Sequence, residues 1–246
     1  MTTWILLRGL ARESGHWGAF IAQFQQAMPQ ARVLALDLPG NGALHALTSP
    51  WCVADMVEQA RAQLALRQVE PPYHLLAMSL GAMVAVAWSH AHPHELASQA
   101  LINTSMRPFN PVYQRLRPAN YAALLRLALL GATADDWERS VLRLTSNLGR
   151  DDVLAQWIQM RSQHPVSRAN ALRQLVAAAR FRAPLARPPT PTLLLASERD
   201  QLVAVACSKA MARHWHCELR VHATSGHDLP LDDGPWLAAQ LAEWLG

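Results

Sequence analysis

Short apolar runs alternate with longer amphipathic segments along most of this 246-residue chain. Apolar runs between turn-forming residues are typical of strands buried on both faces, and apolar residues three or four positions apart indicate helices. The pattern predicts connecting helices near 14–28, 52–68, 80–91, 202–215 and 234–245, and six strands at about 4–8, 33–37, 73–78, 98–103, 192–197 and 218–222. Such alternation predicts an α/β fold with a mainly parallel six-stranded sheet flanked by helices, and ligands at the carboxyl ends of the strands.

The region between the fourth and fifth predicted strands has a different character. Its apolar residues recur only at helical spacing, which predicts helices over 121–127, 137–144, 153–161 and 169–179. Asp135, Asp151 and Ser167 are candidate caps for them. Because these helices interrupt two consecutive strands, we predict an all-helical cap at residues 105–187, inserted into a core of residues 1–104 and 188–246.

The composition is that of a globular protein with a large core. Hydrophobic residues make up 51% of the chain and charged residues 16%, which excludes intrinsic disorder. Three cysteines without framework spacing argue against a disulfide-dependent secreted fold. The apolar stretch before Arg8 is too short for a signal peptide, and no apolar run is long enough to span a membrane. We therefore expect a soluble cytoplasmic protein with no membrane partner.

Positive charge is concentrated in the predicted cap. Residues 105–187 contain 13 arginines and 5 acidic residues, a net charge of +8, whereas the rest of the chain carries −4. No nucleic-acid-binding motif accompanies the arginines, so nucleic acid is not an expected partner. Two explanations stay open. One is a compositional bias toward arginine in a chain with a single lysine, Lys209. The other is a basic cap that attracts an anionic substrate or an acidic carrier protein.

The most informative chemical signal is the sequence Leu76-Ala77-Met78-Ser79-Leu80-Gly81, where an apolar strand meets a helix of small residues. A nucleophilic serine must sit at the tip of a sharp turn, with small residues two places before and after it. Ala77 and Gly81 meet that requirement. The amide of Leu80, at the start of the helix, would then help to hold an oxyanion. A serine that only caps a buried helix is the alternative at this point.

Two more residues complete a possible catalytic set. Asp200 follows the strand predicted at 192–197, and His227 follows the strand predicted at 218–222. Both are therefore expected at the sheet edge where Ser79 lies. A histidine activates a serine only when an acid fixes its tautomer and supports its positive form, so the three residue types are needed together.

With these residues in the order Ser79, Asp200, His227, the chain resembles the α/β-hydrolase superfamily over nearly all its length. The first two strands usual in that superfamily are expected to be missing. The stretches that carry the resemblance are 6–10 (LLRGL), 36–42 (LDLPGNG), 77–81 (AMSLG), 198–203 (ERDQLV) and 225–227 (SGH).

The resemblance implies that Ser79 is the nucleophile, His227 the general base and Asp200 its orienting acid. It also implies an oxyanion hole formed by the backbone N–H groups of Leu10 and Leu80, with no metal and no cofactor. In size and layout the chain resembles the esterases that cleave methyl esters from acyl groups on acyl carrier protein.

The chain departs from the superfamily pattern at two positions. Ala77 replaces the first glycine of G-x-S-x-G, and Arg8 replaces the histidine that commonly precedes Gly9. Arg8 either meets an anionic substrate or is solvated or ion-paired. A mostly apolar substrate pocket is predicted near the nucleophile, with Trp17 equally compatible with the core. Its candidate residues are Arg8, Trp17, Met78, Met106, Phe109 and Tyr113.

These features predict a cofactor-free serine hydrolase acting on a carboxylic ester or thioester. A hydroxynitrile-lyase-type enzyme is one alternative, but it needs an extra basic group near the nucleophile, and Lys209 lies in the wrong segment to supply it. A non-catalytic ligand receptor on the same fold is the other. The intact set of serine, aspartate and histidine speaks against a receptor.

Overall fold

Six parallel strands form a single sheet in the computed structural model, which describes residues 2–129, 133–148 and 151–246. The strand order is β2-β1-β3-β4-β5-β6, and every neighbouring pair runs parallel. The predicted α/β fold is therefore confirmed, with a wholly rather than mainly parallel sheet. The strands are β1 (Thr2–Leu7), β2 (Ala31–Leu36), β3 (Tyr73–Met78), β4 (Leu96–Ile102), β5 (Thr192–Ser197) and β6 (Glu218–His222).

Helices connect the strands and cover both faces of the sheet. The helix expected over 14–28 is broken at Gly18, whose φ of 51° ends a 3₁₀ turn at Ser14–Trp17 before the next helix begins. The core helices are α1 (Phe20–Ala27), α2 (Val53–Leu66), α3 (Leu80–Ala91), α9 (Ala206–Trp215), α10 (Leu229–Asp232) and α11 (Gly234–Leu245).

The chain between β4 and β5, residues 103–191, forms a helical insertion. It contains the four predicted helices and one short additional helix at its start. They are α4 (Val112–Arg115), α5 (Tyr121–Leu129), α6 (Ala134–Thr145), α7 (Asp151–Gln163) and α8 (Arg168–Arg180). The two ends of the insertion meet, because the Ala183 N–H donates to the Arg107 carbonyl at 2.8 Å. The exact division at 105 and 187 remains a prediction.

The structure corrects one of the predicted helix caps. Ser167 caps α8 as expected, since its hydroxyl accepts from the Asn170 N–H at 3.1 Å. Helix α6 is capped by Thr133 rather than Asp135. The Thr133 hydroxyl accepts from the Asp136 N–H at 3.1 Å, while the Asp136 carboxylate accepts from the Thr133 N–H at 3.3 Å. The side chain of Asp151 lies outside the described residues.

The inner strands β1, β3, β4 and β5 are mostly apolar because they are buried on both faces, whereas the edge strands β2 and β6 are more exposed and carry charged residues. In β1, Ile5 and Leu7 pack into the core cluster that includes α2, α3 and α9, whereas Trp4 and Leu6 pack into the cluster on the opposite face with α1 and α11. Successive side chains of a strand point to opposite faces, so a strand buried on both faces is apolar at most positions. Among the residues that the structure describes, none of the helices combines the length and apolar character that crossing a bilayer requires.

Candidate active site

Ser79 occupies a sharp turn between β3 and α3. Its φ of 55° and ψ of −115° are unusual for a residue with a side chain. Two bonds hold the turn: the Ser79 N–H donates to the Ile102 carbonyl, and the Thr104 hydroxyl donates to the Ser79 carbonyl, both at 3.0 Å. A Cβ at Gly81 would lie 2.5 Å from the backbone oxygen of Leu7. Glycine is therefore required two positions after the serine, because β1 passes too close for a side chain there.

The methyl group of Ala77, where the superfamily pattern has glycine, is accommodated in the apolar core under the sheet. The Ser79 side chain itself is half-buried. On its other side lies Gly9, where a Cβ would come within 3.2 Å of the Ser79 Cβ. The turn formed by residues 8–12, called here the Gly9 turn, therefore passes directly beside the serine.

Within the Gly9 turn, the backbone amides of Ala11 and Arg12 are hydrogen-bonded. The Arg12 N–H donates to the Gly9 carbonyl at 3.3 Å, and the Ala11 N–H donates to Gln174 Oε1 at 2.8 Å. The Leu10 N–H has no hydrogen-bond partner within the described parts of the chain. Leu80 is the first residue of α3, so its N–H has no preceding helical turn to bond to. The two amides that the resemblance assigned to an oxyanion hole are thus on the two segments that flank Ser79.

His227 and Asp200 meet at the carboxyl edge of the sheet. The His227 Nδ1 lies 2.7 Å from Asp200 Oδ2, and both side chains are buried. The second oxygen, Asp200 Oδ1, accepts from the N–H groups of Leu202 at 2.7 Å and Val203 at 2.9 Å. The carboxylate therefore bonds two amides of the segment that was predicted to start a helix at 202. Helix α9 begins instead at Ala206. Since a carboxylate only accepts, the proton is on His227 Nδ1 and Nε2 is left basic.

Asn103 fixes the position of the His227 loop, and the sequence analysis missed this role. Its Nδ2 donates to the His227 carbonyl at 2.7 Å and to the Ser197 hydroxyl at 3.0 Å, while its Oδ1 accepts from the Ser197 N–H at 2.8 Å. The next residue, Thr104, bonds the Ser79 turn. Two consecutive residues after β4 therefore connect the serine turn and the histidine loop. The sequence signal that could have indicated this role is a polar residue directly after a buried strand, at the sheet edge where Ser79 lies.

Comparison with known families agrees with the fold. A family model described as the alpha/beta hydrolase family matches residues 4–240. The chain belongs to the alpha/beta hydrolase family.

Relatives of this hydrolase include enzymes named for different substrates. The pimeloyl-[acyl-carrier protein] methyl ester esterase of Methylococcus capsulatus is 28% identical over 224 residues, 85% of this chain and 80% of that protein. A protein of Cronobacter turicensis named as the carbamate hydrolase RutD is 28% identical over 238 residues, 91% of this chain and 83% of that protein. The solved structure of a thermophilic esterase from Thermogutta terrifontis matches with a TM-score of 0.79 at 20% identity, covering 100% of this chain and 89% of that chain. The last similarity shows the fold alone.

Arg8 of this alpha/beta hydrolase is neither solvated nor directed toward a substrate. Its Nη1 and Nη2 donate to the two oxygens of Asp228 at 3.1 and 2.5 Å, and both side chains are almost fully buried. The guanidinium also lies 5.0 Å from the centre of the Trp17 ring. Of the expectations for Arg8, the ion-paired one is correct. The pair links the residue before Gly9 to the residue after His227, and Asp228 was not singled out from the sequence.

The other predicted pocket residues lie in the cores or on the surface. Trp17 and Met78 are buried in the cluster on the α1 side of the sheet, and Met106 is buried in the cluster on the α3 side. Phe109 packs edge-on against a tryptophan of α9, at a centroid distance of 5.1 Å. Tyr113 is exposed and borders an open cavity of about 590 Å³. Long-range packing rather than closeness to Ser79 in the sequence decides where these side chains lie, and their role in a substrate pocket stays a prediction.

The helical insertion contacts the Gly9 turn through a buried charge cluster. Glu138 of α6 is buried between Arg12, with which it forms an ion pair, and Arg161 of α7 at 3.3 Å. Arg12 also stacks on the Trp157 ring at 4.1 Å and contacts His16 Nε2 at 2.9 Å. Burial lowers the pKa of His16 well below its usual value, and the charge of Arg12 lowers it further. His16 is therefore neutral at pH 7.

The described residues show no metal site, since they bring no three histidine, cysteine or acidic side chains together in a way that could hold an ion. Lys209 pairs with Glu198 at 3.1 Å on the protein surface. The lysine therefore does not supply the extra base that a hydroxynitrile lyase would need.

Proposed function

We propose that this chain is a serine hydrolase that cleaves a carboxylic ester or thioester through an acyl-enzyme on Ser79. The observation that carries the proposal is the 2.7 Å contact between His227 Nδ1 and Asp200 Oδ2. A buried acid on Nδ1 holds the imidazole in the tautomer whose Nε2 is basic, and it stabilises the imidazolium that forms during catalysis. Ser79, the proposed nucleophile, follows β3 at the same edge of the sheet.

In the proposed reaction, Ser79 Oγ attacks the carbonyl carbon of the substrate while His227 Nε2 accepts the serine proton. The N–H groups of Leu10 and Leu80 bind the oxyanion of the tetrahedral intermediate. When the C–O or C–S bond breaks, His227 returns the proton to the leaving alcohol or thiol. Water then repeats the sequence: His227 takes its proton, the hydroxyl attacks the acyl group, and the acid and free Ser79 are released.

The Ser79 hydroxyl has no hydrogen-bond partner among the residues that the structure describes. The mechanism therefore requires its bond to His227 to form when substrate binds. Catalytic hydrogen bonds are commonly long or poorly aligned in a free enzyme and shorten in the complex, so this geometry is compatible with the proposed roles.

For the substrate we propose an acyl ester with an anionic or carrier-bound acyl group. Two observations support it: the relative that is named a pimeloyl-[acyl-carrier protein] methyl ester esterase, and the net charge of +8 on residues 105–187. An acidic acyl carrier protein would be attracted by that charge. A carbamate is the second candidate, because the relative named as a carbamate hydrolase is equally similar.

Hydrolysis of p-nitrophenyl esters tests the proposed reaction. The series runs from acetate to decanoate, with an ω-carboxylate ester and a carbamate beside it, and compares wild type with Ser79→Ala and Asp200→Asn. We expect turnover of the ester to fall on the order of 10⁴-fold or more in both variants. Ser162→Ala, which changes an exposed serine of α7, is the matched control and should retain full activity.

The same variants separate the alternatives. A hydrolase forms an acyl-enzyme on Ser79 that mass spectrometry detects, whereas a lyase with the same residues does not. A receptor would resist labelling by a fluorophosphonate. Preference for the ω-carboxylate ester that weakens with added salt would support the anionic substrate. Equal activity of wild type and Ser79→Ala would refute the serine mechanism.

A further inference from the structure

A buried amide of the helical insertion bonds directly to the Gly9 turn. Gln174 of α8 is completely buried, and its Oε1 accepts from the Ala11 N–H at 2.8 Å. Its Nε2 donates to Asn41 Oδ1 at 2.9 Å and to the Ser49 hydroxyl at 3.0 Å. The loop that follows β2 thus fixes the nitrogen end of the Gln174 amide, and the oxygen end bonds the Gly9 turn. A side chain held this way keeps the Ala11 peptide in one position.

The peptide that Gln174 holds is in an unfavourable backbone conformation. Ala11 has a φ of 54° and is almost fully buried, and an alanine pays a steric cost in this left-handed region that a glycine does not. Such a conformation persists only where surrounding contacts impose it. Without the Gln174 oxygen, the Ala11 N–H would be a buried donor without a partner, and the turn would relax to satisfy it.

The relaxation would reach the amide that the proposed mechanism uses. Leu10 immediately precedes Ala11, and its N–H has no hydrogen-bond partner among the described residues. Its direction depends on the conformation of the whole turn, because the neighbouring amides of Ala11 and Arg12 are both fixed by hydrogen bonds. A displaced turn would move the Leu10 N–H away from Ser79 while leaving Ser79, Asp200 and His227 in place.

We infer that Gln174 is a positioning residue for the oxyanion hole, so that helix α8 of the insertion helps to complete the active site. This inference rests on the proposed serine mechanism. Gln174 contacts neither the nucleophile nor the general base. It acts through the Ala11 peptide on the Leu10 amide, and its effect is therefore expected on the chemical step rather than on substrate binding.

Two matched substitutions on α8 test the inference. Gln174→Met removes the amide at nearly constant volume. Asn170→Leu is the control: Asn170 lies one helical turn earlier, is also buried, and bonds the Ser49 N–H and the Leu47 carbonyl, both at 2.9 Å. It anchors the same loop but does not touch the Gly9 turn. Both variants should lower the melting temperature.

The kinetic results should differ. We expect Gln174→Met to lower kcat about 10- to 100-fold with KM changed less than about threefold, since losing one oxyanion donor outright costs about 10²–10³-fold. Asn170→Leu should retain kcat within about twofold. The affinity for a trifluoromethyl ketone, which forms an anionic hemiketal on the serine, should fall by the same factor as kcat/KM in Gln174→Met.

Each outcome decides the inference. An unchanged kcat in Gln174→Met, or an equal loss in Asn170→Leu, would overturn it and leave only a packing role. If Gln174→Met does not fold, Gln174→Asn replaces it, because the shorter amide stays polar but withdraws from Ala11, and the same loss of kcat is expected. If wild type is inert, or as active as Ser79→Ala, the proposed function has failed and the positioning role fails with it.

Discussion

The buried ion pair between Arg8 and Asp228 offers a quantitative test of how this active site is held together. It joins the residue before Gly9 to the residue after His227 through two hydrogen bonds, and the side chains are only 2% and 3% exposed. The perturbation is a double-mutant cycle built from Arg8→Met, Asp228→Leu and the combined variant. Each single change leaves one charge buried without its partner, whereas the combined change leaves none.

The expected magnitudes follow from that burial. Removing one partner of a buried pair costs about 3–5 kcal/mol, whereas replacing both by apolar side chains is often close to neutral. Here Arg8 Nε is buried and, among the described residues, lacks a partner, so the wild-type pair is incompletely satisfied. We therefore expect each single variant to lose about 3–5 kcal/mol and the combined variant to lose less than either. The coupling energy would then be at least about 3 kcal/mol.

Urea denaturation at pH 7 measures these free energies by linear extrapolation, and a repeat in high salt should give the same coupling because the pair is shielded from solvent. Ester hydrolysis provides the control for function. Asp200→Asn should lose on the order of 10⁴-fold in kcat. It should not show such coupling to Arg8→Met, since Asp228, not Asp200, is the partner of Arg8. A loss below about 1 kcal/mol in Arg8→Met, or strictly additive losses in the combined variant, would refute this account of the pair.

Three further predictions concern the surrounding structure. Gly81→Ala places a Cβ 2.5 Å from a backbone oxygen of β1, so we expect about 1–3 kcal/mol of destabilisation with impaired hydrolysis; wild-type stability would contradict the clash. His16 has a lowered pKa, so below pH 6.5 the unfolded chain binds a proton that the folded one does not. Stability should therefore fall as pH falls, by up to about 1.4 kcal/mol per unit, and denaturation across pH 5–7.5 should show that His16→Gln lacks this component. Glu138→Leu should lose about 3–5 kcal/mol in urea denaturation because it removes the ion-pair partner of the buried Arg12 and the half-buried Arg161. Asp135→Ala, at an exposed pair on the same helix, should lose about 1 kcal/mol or less, and equal losses would count against the buried cluster.

The elements and the serine turn were predictable because local rules decide them. Apolar runs located the strands to within a few residues, since a strand buried on both faces is apolar at most positions. The small residue at Gly81 marked a close backbone approach before its partner, the Leu7 carbonyl, was known. The predicted start of α9 was too early. The amides of Leu202 and Val203 bond the Asp200 carboxylate, and the helix begins only at Ala206.

The sequence by itself determined the order of strands and helices, the turn at Ser79 and the loops that carry Asp200 and His227, because periodicity and turn chemistry act over a few residues. Only the tertiary structure decided that Arg8 pairs with Asp228, which is 220 positions away, and that Gln174 reaches Ala11 across 163 positions. It also decided that Trp17, Met78 and Met106 lie in the apolar cores whereas Tyr113 lies on the surface. The partner of a buried polar group is whichever distant group the packing brings within hydrogen-bond reach, and no local spacing encodes that choice.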